Sequence, residues 1–276
     1  MLLGYEQEEK AFTSLYGRKE SLISESVPAI NTALGASTLS DARSDWATQG
    51  IFGRLNYNYK EKYLLEVSAR YNGSSRFDPD SRWGFFPSAS VGYQISNEDF
   101  WQSVESVINR LKLRASYGSL GNQNVANYLY IPTINVLPET PWIIGAARPP
   151  YATTPSIISE NLTWETITMA NFGVDATFLD NRLGLVFDVY NRKTTDMFGP
   201  QTTLPYTLGT GTPTANNASL TTKGFELILD WHDRIGSEFS YNAQLSLGDS
   251  KSKILQYRNE SGFIDNWYNG KIIGEI

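Results

Sequence analysis

Apolar and polar residues alternate along this chain with a period of two, in segment after segment. That period suits a strand, whose successive side chains point to opposite faces, and does not suit a helix. From Gln49 to Lys60, residues Ile51, Gly53, Leu55, Tyr57 and Tyr59 share one face. Arg54, Asn56 and Asn58 share the other, and Phe52 is the misfit. After a tight turn at Glu61-Lys62, residues Tyr63, Leu65, Val67, Ala69 and Tyr71 oppose Glu66, Ser68, Arg70 and Asn72. Two such runs around a tight turn predict a β-hairpin. The same texture predicts strands over 85–96, 111–118, 168–178, 183–192, 224–232 and 239–248. That makes about eight full strands, plus the tail of another over Leu2 to Glu6, of a length that suits the roughly 9–11 tilted residues crossing a bilayer.

One segment breaks the period. Asn97 to Arg110 sets Phe100, Trp101, Val104 and Ile108 at helical spacing, with Ser96 or Asn97 as cap and Glu98 and Asp99 in the first turn. This predicts a short amphipathic helix.

The connections sort by length. Short ones fall at 61–62, 179–182 and 233–237; long ones fall at 7–48, 73–84, 119–166, 193–223 and from 249 onward. Short turns at one end and long loops at the other are the pattern of an outer-membrane barrel. The aromatic residues supply a second sign. The chain has 16 Tyr, 13 Phe and 7 Trp, and many lie on the apolar phase near strand ends. Tyr57, Tyr59, Tyr63, Phe178, Trp231, Phe239 and Tyr241 sit beside the short turns, and Tyr71, Phe85, Tyr117 and Phe225 sit at the opposite ends. Two bands with Val, Leu and Ala between them form an aromatic girdle pattern. Mean hydropathy is −0.33, and no apolar run approaches the roughly 18 residues of a transmembrane helix. Alternating strands hide a barrel from both tests.

The 276 residues suffice for one large β domain. There is no Cys, hence no disulfide framework or thiolate chemistry, and the net charge of −6 argues against nucleic acid as a partner. His232 is the only histidine, which excludes His-paired triads and multi-His metal sites. No nucleophile–base set and no nucleotide-binding loop stands out, so neither catalysis nor a metal or other cofactor is expected. The start, MLLGYEQEEK, is no signal peptide; for an exported barrel the expectation is that the N-terminus lies upstream.

The segment Tyr71-Asn72-Gly73-Ser74-Ser75-Arg76-Phe77, preceded by YLLEVSAR, resembles a signature of the SusC/RagA-type TonB-linked outer-membrane proteins. Trp46 to Phe77, Arg82 to Trp101, Leu111 to Asn124 and Thr221 to Trp231 resemble that family's barrel strands in the family's order, and YNGKIIGEI resembles a late-barrel loop. Asn72 departs from the pattern, where Asp is more usual. The resemblance implies an all-β fold: an antiparallel up-and-down transmembrane segment of a larger plugged barrel of about 22 strands. Residues 1–276 would then be one partial barrel domain, without the plug and the remaining strands. It implies a cell outer-membrane protein importing oligosaccharides or peptides. Its partners would be a SusD-like surface lipoprotein, TonB–ExbB–ExbD acting through a plug and TonB box outside this chain, and outer-membrane lipid. Two alternatives share parts of the pattern: a TonB-dependent siderophore or metal-chelate receptor, and a soluble all-β carbohydrate-binding protein or adhesin.

Candidate ligand contacts are the loop aromatics Tyr128, Tyr130, Trp142 and Tyr151 in the longest loop, with Trp267 and Tyr268 in the last. Exposed rings stack on sugar faces, and loops carry binding residues. Equally, such rings pack loops together or meet a lid protein. Arg54, Glu66, Arg70, Arg114 and Asp188 fall on the polar phase, where they would line the lumen or bond the plug.

Overall fold

The computed structural model describes residues 1–26, 28–159, 162–199, 207, 209–257 and 267–274. Nine long strands form one antiparallel sheet: β1 (Leu2–Lys19), β2 (Ser37–Tyr59), β3 (Tyr63–Ser74), β4 (Trp83–Gln94), β5 (Ile108–Asn122), β8 (Glu165–Phe178), β9 (Leu183–Phe198), β10 (Asn216–Ile235) and β11 (Phe239–Tyr257). Each pairs with its neighbours in chain order, and β1 and β11 are the edges. The sheet is therefore up-and-down and open. A separate two-stranded sheet, β6 (Val136–Leu137) with β7 (Tyr151–Ala152), lies within the β5–β8 loop.

The registers explain why the alternation specifies this sheet. A one-residue slip would turn every side chain of a strand to the wrong face. Here apolar phase meets apolar phase at every seam: Ile51 pairs with Tyr5 and Tyr71, and Leu65 with Tyr57 and Val91. Ala115 pairs with Val91 and Phe172, Val189 with Phe172 and Phe225, and Leu245 with Leu229. The result is one continuous apolar face. Large side chains across its middle lie bare: Leu65, Val91, Phe172, Phe225 and Leu245 are all exposed. A soluble protein rarely leaves so large an apolar surface bare.

The misfit Phe52 belongs to the polar face. Its ring lies over Gly4, where a Cβ would stand 2.4 Å from the ring, and the Arg70 guanidinium covers it 5.4 Å from the centroid.

Two expectations differ from the structure. First, β1 is an 18-residue strand and β2 runs for 23 residues, where a strand tail and a long 7–48 loop were expected. Most of that stretch is ladder, with Lys19 opposite Ser37. Its alternation is hidden because the apolar phase turns polar above Ile51, at Gln49, Asp45, Arg43 and Asp41. Second, Asn97 to Arg110 holds no α-helix. Two 3-10 turns, Ile95–Asn97 and Asp99–Ser103, lead into β5 at Ile108. Neither Ser96 nor Asn97 caps them. Asn97 instead donates to the Glu61 carbonyl at 3.0 Å, and the Trp101 indole donates to the Ile108 carbonyl at 2.9 Å. These ties to the β2–β3 turn and to the start of β5 outweigh a helix too short to stabilise itself. The β9–β10 loop, the connection after β11 and the end of YNGKIIGEI lie partly outside the described residues.

The buried core is small and sits at the long-loop end. Phe77, Phe86, Leu162 and Trp164 form one cluster. Ala218, Ile254 and Tyr257 form another, with Trp267 packed against it. No compact core lies under the sheet itself among the described residues.

Candidate functional site

The polar face carries a trough of about 980 Å³ running from β1 to β9, with Arg54, Glu66, Arg70, Asn171 and Arg192 among its walls. Charged residues stand along this face, in and beside the trough, as pairs and networks. Arg114 on β5 reaches across Gly173 on β8. Its Nε and Nη2 donate to Asp175 at 2.8 and 2.7 Å, and Nη2 donates to Asp188 on β9 at 3.0 Å. Asn171 donates to the second oxygen of Asp188 at 2.9 Å. The register explains the glycine: Gly173 stands directly between Arg114 and Asp188. A Cβ there would lie 2.4 Å from the Asp188 carboxylate and 2.7 Å from the guanidinium. Sequence reading singles out Arg114 and Asp188 but misses Asp175 and Asn171, which the polar phase of β8 offers once the register is known.

Further along the wall Arg70 pairs with Glu6 and donates to Asn72 Oδ1 at 2.8 Å. Asn72 thus keeps the acceptor an Asp would supply. Arg54 and Glu66 stand 3.7 Å apart, both well exposed, and a contact of that kind contributes under about 1 kcal/mol. The five polar-phase residues therefore share one wall, though not one cluster.

At the long-loop end, the Tyr71–Phe77 segment builds the mouth. Ser75 Oγ accepts from the Ala47 amide at 2.8 Å. Arg76 donates to the Gln123 and Val125 carbonyls at 3.0 and 3.1 Å and stacks 4.9 Å above Trp46. Phe77 enters the buried cluster 5.4 Å from Trp164, whose indole donates to the Arg82 carbonyl. This segment ties β2, the β3–β4 loop and the β5–β8 loop together.

The six loop aromatics do not converge on one site. Trp142 and Tyr151 face each other with ring centroids 6.4 Å apart, and Trp142 is well exposed. Tyr128 instead holds the long loop onto β2: its hydroxyl donates to the Asp45 carboxylate and accepts from the Asp45 amide at 2.7 Å. The bond to that carboxylate raises the phenol's pKa above its usual value. Tyr130 is half-buried beside it. Trp267 packs edge-on against Tyr257 at 5.9 Å, and Tyr268 lies under the Lys271 ammonium at 5.7 Å. Asp45, Trp46 and Arg76 organise this end, and their pairings carry no local sequence signal, because their partners are far away in the chain.

At the short-turn end Lys62 donates to Glu98 at 2.8 Å, and the hydroxyls of Tyr63 and Tyr93 donate to the same carboxylate at 3.0 and 3.2 Å. The bond from Lys62 lowers the Glu98 pKa, and the same bond raises that of Lys62. Among the described residues, no cluster of three or more His, Cys, Asp or Glu could hold a metal ion.

A sheet with one bare apolar face, a charged trough on the other and its longest loop at the end opposite the tight turns is the wall of a transmembrane barrel. The sequence matches the family described as TonB dependent receptor-like, beta-barrel, over residues 4–272. The chain belongs to that family. Within this outer-membrane receptor family it is 34% identical over 212 residues to the TonB-dependent receptor SusC of Bacteroides thetaiotaomicron, covering 74% of this chain and 20% of SusC. It is 33% identical over 246 residues to the TonB-dependent receptor P26 of Formosa agariphila, covering 86% of this chain and 24% of that receptor. The SusC/RagA resemblance thus holds. The TonB-dependent receptor barrel also fits the RagAB peptide importer in its open-open state, with a TM-score of 0.80, 23% identity and 95% of this chain on 28% of that one; this likeness bears on the fold. The chain spans about a quarter of the length of the curated relatives it matches. The named relatives are receptors and transporters rather than enzymes.

Proposed function

We propose that this chain forms part of the outer-membrane wall of a TonB-dependent importer of oligosaccharides or peptides. It works with a SusD-like surface lipoprotein and is energised by TonB–ExbB–ExbD through a plug outside this chain. The observation that carries the reading is the two-faced register: an unbroken apolar face outward and a charged trough inward, roofed at one end by long loops. The relative named SusC, and the structural neighbour whose title calls it a peptide importer, support the nutrient class.

On this reading the Arg114–Asp175–Asp188 network and the Arg70–Glu6 pair face the plug. Their groups already satisfy one another, which keeps the wall polar without trapping a charged substrate. The pair of exposed Trp142 and half-buried Tyr151 is the foremost ligand contact, because broad rings offer large contact area at small entropic cost. The other four aromatics serve mainly to hold the mouth in shape.

Deleting 136–151 from the complete receptor should impair growth on the cognate oligosaccharide or peptide and leave outer-membrane abundance unchanged, since surface loops tolerate length changes at small cost. Growth of a receptor-null strain on a panel of glycans, peptides and ferric chelates identifies the class. Loss of growth only under iron limitation would overturn the nutrient reading in favour of a siderophore receptor. Normal growth of the loop deletion, with the lipoprotein still associated, would remove this loop from the mechanism.

A further inference from the structure

We infer that the apolar face carries a seat for one phospholipid with a primary-ammonium headgroup, phosphatidylethanolamine, beside the turn that joins β2 to β3. The inference rests on the membrane placement proposed above. A face in contact with lipid tails gains little from burial alone, because the tails are as apolar as the protein. A preferred lipid therefore needs a shaped groove and a polar anchor, and both are present.

The groove has a volume of about 500 Å³, within the range of ligand clefts. Leu65, Val91, Ala115 and Phe172 lie in one cross-strand row. Ala115 is the short member of that row and lowers it between Val91 and Phe172. Tyr63 and Tyr93 border the groove on the turn side, stacked 5.0 Å apart and nearly parallel. Their hydroxyls donate to Glu98, so their polar tips point to the turn.

The anchor is Lys60. Both Lys60 and Glu61 hold left-handed backbone conformations in this turn. The Lys60 ammonium lies over the Tyr59 ring, 5.4 Å from its centroid. Tyr59 belongs to the apolar phase and is exposed, so the cation stands on the lipid side, at the aromatic belt. It makes no ion pair among the described residues. Lys62, by contrast, is taken by Glu98 at 2.8 Å and lies 3.8 Å from Asp99.

The surrounding charges select the headgroup. The turn holds Lys60 and Lys62 against Glu61, Glu98 and Asp99, with Glu98 occupied and Asp99 fully exposed. A purely anionic headgroup would find its attraction to Lys60 opposed by Glu61 and Asp99. A zwitterion matches both signs, and a primary ammonium, unlike a quaternary one, can also donate hydrogen bonds to a carboxylate: the phosphate meets Lys60, the ammonium meets the exposed Asp99, and one acyl chain lies along the Ala115 depression.

The test is native mass spectrometry of the complete receptor, first inserted into phosphatidylcholine vesicles and then extracted and titrated with phosphatidylethanolamine, phosphatidylcholine or phosphatidylglycerol. The expected result is one phosphatidylethanolamine retained in preference to the other two. Lys60→Gln should weaken retention about five-fold, the effect of one cation near a lipid surface. Ala115→Phe, which fills the depression, should abolish the preference, whereas Leu247→Phe, equally bulky and elsewhere on the same face, should leave it intact. Equal retention by Ala115→Phe and the unaltered receptor, or equal binding of the three lipids, would overturn the seat while leaving the membrane placement standing. Failure of the unaltered receptor to enter vesicles at all would overturn both.

Discussion

The β1–β2 ladder passes through two surroundings, and they stabilise it differently. Below the Thr48–Ser74 pair, β2 has β3 on its other side, and the outward row is apolar. Above that level β1 and β2 continue alone as a two-stranded ribbon to Lys19 and Ser37. Its outward row mixes Asp45, Arg43 and Asp41 with Leu15 and Leu39, which are 78% and 75% exposed. An isolated two-stranded ribbon is marginal in water. This one is held by single contacts to other loops: Trp46 under Arg76 and Asp45 against Tyr128. The lower sheet follows from a repeated pattern, whereas the ribbon depends on a few distant partners.

The largest effect expected is on the apolar face. Leu65→Arg or Leu245→Arg should cost about 2–4 kcal/mol if the residue sits near the bilayer midplane. Arginine at Ser68 or Gln244, on the polar phase, should cost much less. Leu15→Arg, on the ribbon, should stay within about 0.5 kcal/mol despite the same chemistry. Folding titrations into lipid vesicles measure all three, and equal losses at Leu65 and Leu15 would erase the distinction between the regions.

Next come the ties across the polar wall. Gly173→Ala places a methyl group where Arg114 crosses to Asp188, and overpacking of this kind costs about 1–3 kcal/mol. Arg114→Ala leaves two carboxylates facing each other without their shared donor and should cost about 1–3 kcal/mol. Adding Asp188→Asn should recover part of that loss in the same titration. No recovery would show that the network does not act as a unit.

Much of this was legible in the sequence, and the boundary between what was and was not is physical. The β2–β3 hairpin can be read directly because both strands alternate on either side of a tight turn, with Leu64 the one apolar residue on the polar phase of β3, and β8 to β11 follow the same rule. The lengths of β1 and β2 cannot be read, since a ribbon in water has no reason to keep one face apolar. The Phe100–Trp101–Val104–Ile108 spacing suggests a helix, but Trp101 bonds to the start of β5 and Asn97 to the β2–β3 turn instead. The polar-phase arginines were visible as a face, and their partners were not, because Asp175 is 61 residues from Arg114 and Tyr128 is 83 from Asp45.

Smaller effects should mark the two ends of the sheet. Tyr128→Phe removes the donor to Asp45 and should cost about 1 kcal/mol locally. Hydrogen exchange should quicken in 123–164 and in the ribbon, with no change in the β8–β9 ladder. At the other end, the Lys62–Glu98 contact should be insensitive to pH across the neutral range. Its stabilisation is present above the unfolded carboxylate pKa and is lost as pH falls through the lowered folded value of Glu98. It is likewise present below the unfolded lysine pKa and is lost as pH rises through the raised folded value of Lys62. Exchange at 95–107 followed from acid to alkaline pH checks both limbs, and a transition near neutrality would contradict the assignment.

The central claim is that one register turns one phase of every strand to lipid and the other to an aqueous lumen. The chain itself contains no Cys, so single cysteines can be placed one at a time along β3, from Tyr63 to Asn72, in the complete receptor with any cysteine outside this chain replaced by serine. Each is spin-labelled in lipid vesicles and its contact with lipid-soluble oxygen and a water-soluble relaxant is measured. Positions 63, 65, 67, 69 and 71 should favour oxygen, and positions 64, 66, 68, 70 and 72 should favour the aqueous relaxant, with a strict period of two. A uniform profile along β3, or an alternation of the opposite phase, would contradict it.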